Sequence, residues 1–285
     1  MAEAFRLPDA THVGHAHLRV ADVSRALNFY RDILGLHETT HVNSTVSLSA
    51  TGAASPLIVL TEQPGARSQP PRTAGLYHVA IRLPDRRSLA RVLRQVVAAR
   101  WPLHGVADHG VSEAIYLPDP DGNGLELYRD RPRDQWQWDG DQIAMRTDPL
   151  DVDDLLAQDD GAPWTGIDPG TDIGHMHLHV SDLERAEAFY HDLLGLDVTQ
   201  RSYPGALFLA ADGYHHHLGV NTWAGRGVPP APPDAAGLIA WSLHVPGDAW
   251  KTLVERVRAA DLPLETHAMG VLVRDPDQNG LVLTK

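Results

Sequence analysis

From Gly14 to Val20 the chain reads GHAHLRV, in which Ala16, Leu18 and Val20 alternate with His15, His17 and Arg19. A period of two predicts a half-buried strand. After a short polar turn the period lengthens, with Val23, Ala26, Leu27 and Tyr30 on one face of a predicted helix that ends at Gly35. The succession returns 160 residues later without a gap: GHAHLRVADVSRALNFYRDILGL at Gly14–Leu36 matches GHMHLHVSDLERAEAFYHDLLGL at Gly174–Leu196. A match of that length marks an internal duplication.

Each half carries a second, weaker cycle. GLYHVAIRLPD (Gly75–Asp85) opens a strand, followed by a helical stretch over 86–100 and the hairpin YLPDPDGNGLELY. GLIAWSLHVPGD (Gly237–Asp248) opens its counterpart, followed by a helical stretch over 249–260 and the hairpin VRDPDQNGLVL. Asp-Pro-Asp followed by Asn-Gly between alternating apolar residues predicts a tight turn. The pattern therefore predicts an α+β fold of four βαβββ modules, near 10–62, 75–129, 172–223 and 237–285. Grouped by the duplication they make two domains, 10–129 and 172–285. The connectors EQPGARSQPPRTA and AGRGVPPAPPDAA separate modules within each half. Residues 130–171 predict an acidic linker lying over the surface, with one short helix.

Composition narrows the chemistry. The 285 residues suffice for two cores. There is no cysteine, so thiolate nucleophiles and Cys-based metal sites are excluded, and any metal must use His, Asp or Glu. A formal charge of −13 argues against nucleic-acid and anionic-membrane partners. The start, MAEAFRLPDA, has no apolar signal-peptide core and no apolar run reaches membrane-spanning length, so a cytoplasmic location is the expectation.

The strand H-x-x-x-x-V-x-D followed by A-x-x-FY-x-x-x-LGL resembles the vicinal-oxygen-chelate superfamily, which includes glyoxalases, methylmalonyl epimerases, bleomycin-resistance proteins and extradiol dioxygenases. The resemblance implies glyoxalase/dioxygenase-like domains with cupped mixed sheets, two modules wrapping one site. It also implies metal ligands on the first and last strands of the modules. The first-strand positions are His15, His78, His175 and Ala240; the last-strand positions in modules two and four are Glu126 and Val282. Two imidazoles and a carboxylate suit a divalent first-row metal with positions left open.

HGVSEAIYLPDPDGNGLE, His109–Glu126, resembles the signature of extradiol ring-cleaving dioxygenases, which implies substrate contacts from His109 and Tyr116 and a ligand at Glu126. In that family an acid–base His lies on the last strand of the module that gives the first ligand. Module one offers SPLIVLTEQ there, whereas module three offers YHHHLGVNTW, so the candidate is His216, or His217 if the register slips by one. The complete set then spans the halves: His78, Glu126 and His175 for the metal, with His109, Tyr116 and His216 or His217 catalytic. The rival is a site within the first half, from His15, His78 and Glu126. His177 and His179 share the strand face of His175.

The resemblance thus implies an Fe(II)-dependent enzyme, with Mn(II) as the alternative ion, most similar to catechol 2,3-dioxygenases. Its partners would be a catechol-like aromatic diol and O2, and its form a homo-oligomer. Two other readings stay open: a glyoxalase- or epimerase-like metalloenzyme, and a metal-free drug-sequestering protein of the bleomycin-resistance kind.

Overall fold

The computed structural model of the protein describes residues 5–53 and 55–285. Four βαβββ modules follow one another. Module one holds β1 (His12–Val20), α1 (Val23–Tyr30), β2 (His37–Val42), β3 (Thr45–Ser49) and β4 (Ile58–Glu62). Module two holds β5 (Gly75–Arg82), α2 (Arg86–Ala98), β6 (Gly105–Asp108), β7 (Ser112–Pro118) and β8 (Gly124–Asp130). A two-stranded hairpin, β9 (Trp138–Asp139) and β10 (Gln142–Ile143), and α3 (Val152–Leu156) lie between the halves. Module three holds β11 (Asp172–His179), α4 (Leu183–Glu187), β12 (Asp197–Gln200), β13 (Ala206–Ala210) and β14 (Leu218–Asn221). Module four holds β15 (Gly237–His244), α5 (Ala249–Ala259), β16 (Glu265–His267), β17 (Gly270–Arg274) and β18 (Gly280–Thr284). Among the described residues no helix is long and apolar enough to cross a membrane.

Asp22 and Asp182 cap the first helix of each half, each carboxylate accepting the N–H of the residue three further on. The helices do not run to Gly35 and Gly195 as the apolar spacing predicts. α1 stops at Tyr30, and α4 passes into a π-helical turn over Ala188–Leu193. Both segments turn back through a glycine at positive φ, 76° at Gly35 and 88° at Gly195, a conformation that other residues rarely adopt.

The sheets do not follow the halves. One runs β16-β17-β18-β15-β1-β4-β3-β2, the other β12-β13-β14-β11-β5-β8-β7-β6. Module one is continued by module four, and module two by module three, each time through antiparallel first strands. The ranges 10–129 and 172–285 describe the repeat along the chain, while each sheet is built across it. Alternation assigns the faces: Met176, Leu178, Val79 and Ile81 enter the apolar core under the helices, leaving His175 and His177 for the concave side.

Residues 130–171 are more than a surface linker. Trp136, Ile143, Leu150, Leu155 and Ile167 are buried. The acidic run docks on the basic helix α2, with Arg86 2.7 Å from Asp154, Arg94 2.8 Å from Asp159, and Arg87 paired with Asp160. Buried apolar anchors fix this segment; the ion pairs, each with at least one side chain partly open to solvent, add little each.

The Asp-Pro-Asp turn holds the sheets together. Asp119 accepts from the N–H groups of Asp121 and Asn123, from Asn123 Nδ2, and from the hydroxyl of Tyr30 on α1. Asp275 does the same with Asp277, Asn279 and Tyr190. In each half, then, a carboxylate in one sheet's turn holds a tyrosine from the helix of the other sheet's module. The glycine after the asparagine serves close approach, not positive φ: a Cβ on Gly124 would lie 2.0 Å from the carbonyl oxygen of Tyr77.

Asp119→Ala removes four accepted hydrogen bonds at a buried site, so it should cost on the order of 3 kcal/mol, and Tyr30→Phe about 1 kcal/mol. Urea unfolding measures both. A loss for Asp119→Ala below about 0.5 kcal/mol, the range of ordinary surface changes, would contradict this role.

Candidate active site

Three strands of the second sheet bring the candidate ligands together. Ala80 on β5 lies opposite His175 of β11 on one side and Glu126 of β8 on the other. Its methyl group leaves space between them, and His78 stands two residues along the same strand. His78 Nε2 is 2.9 Å from Glu126 Oε2, His175 Nε2 is 3.3 Å from the same oxygen, and the two imidazole nitrogens are 3.4 Å apart. Ligands at about 2.1 Å from one ion, the usual metal–nitrogen distance, sit about 3.0 Å apart when they subtend a right angle. The triangle is therefore near the size of one face of a coordination shell, and two His and one carboxylate suit a divalent transition metal. Among the described residues this is the one group of three or more ligand atoms so close.

The electrostatics agree. All three side chains are buried. Burial lowers the pKa of His175 to about 4 despite Glu126 beside it, so the imidazole is neutral at pH 7, the form in which it can serve as a metal ligand. Burial works against the Glu126 carboxylate, but His175 and His78 outweigh it and hold its pKa well below the usual range.

These groups form the wall of a cavity of about 300 Å³. A register shift between the β5 and β11 pairs, the mark of a bulge, lets the adjacent Tyr77 and His78 both line it. His109 and Tyr116 are there as well. His109 Nδ1 is 2.6 Å from the carbonyl oxygen of Arg146, which can only accept, so Nδ1 carries the proton. Nε2, 2.6 Å from the Tyr116 hydroxyl, accepts from the phenol. Burial, with Glu126 nearby, pushes the Tyr116 pKa well up and keeps that proton in place.

His216 lines the cavity, its ring centroid 4.0 Å from that of His175. His217 does not: it turns to the other side, where its Nδ1 accepts from the N–H of Ala211. The grouping of His15 with His78 and Glu126 is not formed. His15 belongs to the first sheet, and its Nδ1 is 2.8 Å from Ser242 Oγ. His177 enters the cavity with a buried Nε2 that has no partner among the described residues, while His179 is bonded to Asn221.

Sequence reasoning missed much of the wall. Tyr77, Tyr203, Phe208 and Trp223 supply aromatic surface, and Met145, Arg146 and Thr147 come from the segment whose composition predicts a linker. Trp223 closes the quoted YHHHLGVNTW, yet nothing in its spacing says that a loop residue returns to the cup.

Burial pushes His15, His17 and His175 down to about 4 and His217 to about 3. In the unfolded chain each takes a proton near about 6.5, so stability should fall as the pH drops from there towards 4. Asp275 opposes this: burial raises it to about 6, and the folded form then holds its proton more tightly. Burial raises Asp119 and Asp121 as well, but it also holds His177 and His216 well down, so the imidazoles outnumber the carboxylates and leave a net loss. The urea midpoint of metal-free protein should be lower at pH 5 than at pH 7. An equal or higher midpoint at pH 5 would contradict it.

Comparison with known proteins agrees with this fold. The family model described as Glyoxalase/Bleomycin resistance protein/Dioxygenase superfamily matches residues 12–127 and 172–283. The chain is 42% identical over 275 residues to a Bacillus subtilis (strain 168) protein named catechol-2,3-dioxygenase, covering 93% of this chain and 94% of the relative. Among solved structures, a dioxygenase candidate from Bacillus subtilis subsp. subtilis str. 168 superposes with a TM-score of 0.69 at 12% identity, over 98% of this chain and 86% of that one. Glyoxalase I from Zea mays gives 0.59 at 16% identity, over 96% and 92%. At those identities the two structures speak for the fold alone. The chain belongs to the Glyoxalase/Bleomycin resistance protein/Dioxygenase superfamily.

Proposed function

We propose that the protein is an Fe(II)-dependent extradiol dioxygenase that cleaves the ring of a catechol-like aromatic diol with O2. The observation that carries this reading is the meeting, in one aromatic-walled cavity, of His78, Glu126 and His175 with the Tyr116–His109 pair and His216. The 42% identical relative named catechol-2,3-dioxygenase supports it. In this reading His78, Glu126 and His175 hold the ion. Iron bound there would supply open coordination positions for a diol and O2 and would lower the pKa of the diol oxygens.

The chain's own groups do the rest. Tyr77, Phe208 and Trp223 give flat apolar surface that receives a ring and excludes water. A cavity of about 300 Å³ is at the small end for ligand sites and matches a single-ring substrate. His216 accepts a proton from a diol hydroxyl. The Tyr116 oxygen, its proton committed to His109, accepts a hydrogen bond from the substrate and fixes its orientation. Mn(II) would satisfy the same ligands.

The test is anaerobic loading with Fe(II), then addition of catechol and air. O2 uptake with formation of a yellow ring-fission product is the expected result. Bound iron without O2 uptake across a panel of diols would overturn the reading and leave proton transfer beside a chelated carbonyl. His216→Ala should retain iron and lose about 10²- to 10⁴-fold in kcat, the usual range for an acid–base group. Metal analysis should find iron lost from His175→Ala and kept in His15→Ala; loss from His15→Ala alone would refute the cross-half ligand set.

A further inference from the structure

His216 does not stand alone behind the cavity. Its Nδ1 is 2.8 Å from Nδ1 of His215, and His215 Nε2 is 2.7 Å from Asp130 Oδ1. His215 is wholly buried. Asp130 also accepts from Arg82 Nη1 at 3.0 Å and from the hydroxyl of Tyr214, which in turn is 2.8 Å from that of Tyr128. Burial alone would raise the pKa of Asp130, yet His215 and Arg82 lower it, so the carboxylate is charged and only accepts.

For His215 in its neutral form, the protons along this row then follow from the partners. An acceptor at Asp130 puts the proton of a neutral His215 on Nε2 and leaves a lone pair on its Nδ1. Two facing nitrogens share one proton, so His216 Nδ1 donates it. That leaves His216 Nε2, which has no partner among the described residues, with its lone pair for the cavity. We propose that Asp130 and His215 are positioning residues, which hold His216 in the tautomer able to take a proton from bound substrate. The relay stands on these distances; only the task of His216 rests on the dioxygenase reading above.

Asp130→Asn tests it with little change of shape. Arg82 can only donate, so the new amide oxygen must face Arg82 and the NH2 must face His215 Nε2. His215 then carries its proton on Nδ1, His216 accepts there, and its Nε2 becomes N–H. In the Ser-His-Asp triad the same replacement costs about 10⁴-fold in kcat through the wrong tautomer. Here kcat should fall at least about 100-fold, the lower bound for an acid–base group, with KM and iron content unchanged.

Long-range 15N–1H spectra of metal-free, 15N-histidine-labelled protein read the tautomer directly, with His216→Ala assigning the signal. Wild type should show protonated Nδ1 and bare Nε2, and Asp130→Asn the reverse. A wild-type His216 protonated on Nε2, or Asp130→Asn with undiminished kcat, would overturn the proposal. If wild type turns over no diol, the dioxygenase reading fails, while the spectra still decide the relay.

Discussion

The site depends on one strand pairing, β5 against β11. These strands come from different halves of the chain, and their register sets His177 opposite His78 and His175 opposite Ala80. Because successive side chains point to opposite faces, a slip of one residue would send the histidines into the apolar core and the core residues into the cup. The alternation that buries Met176 and Leu178 therefore also presents His175 and His177. Glu126 follows from the parallel pairing of β8 on the far side of β5, again opposite Ala80. One small residue between two ligand-bearing strands gives the triangle its size.

Among the described residues the other sheet carries no such cluster, although the duplication gives it the same frame. Both sheets have the same strand order, and both turns use a buried aspartate to hold a tyrosine from across the molecule. What differs is the set of side chains on the concave face. Where module two has His78 and Glu126, module four has Ala240 and Val282, and His15 is spent on Ser242. Because the interlocking aspartates link each half across both sheets, the sheet without ligands still anchors the one that has them.

Much of this was legible in the residues. Period-two and helical spacing located the modules, and the unequal distribution of His and Glu pointed to a site from modules two and three. His78, Glu126 and His175 lie together as that reading requires. Other parts were not legible, for physical reasons. Which of His216 and His217 faces the cavity is decided by the loop geometry just before β14, where alternation does not apply. The segment after Asp130 looked like a solvated linker because its charges dominate its composition. Its few apolar residues nevertheless bury it, and Arg146 then fixes the His109 tautomer through a backbone carbonyl. Asp130 ends a strand and gives no sequence sign that it stands behind two histidines.

The central claim is that one metal is held between the two halves of the chain by residues of a single sheet. An anomalous difference map at the iron edge, from crystals grown with Fe(II) under anaerobic conditions, tests it most directly. The account predicts one strong peak about 2.1 Å from His78 Nε2, His175 Nε2 and a Glu126 oxygen. A peak beside His15 in the other sheet, or none within ligand distance of His175, would contradict it.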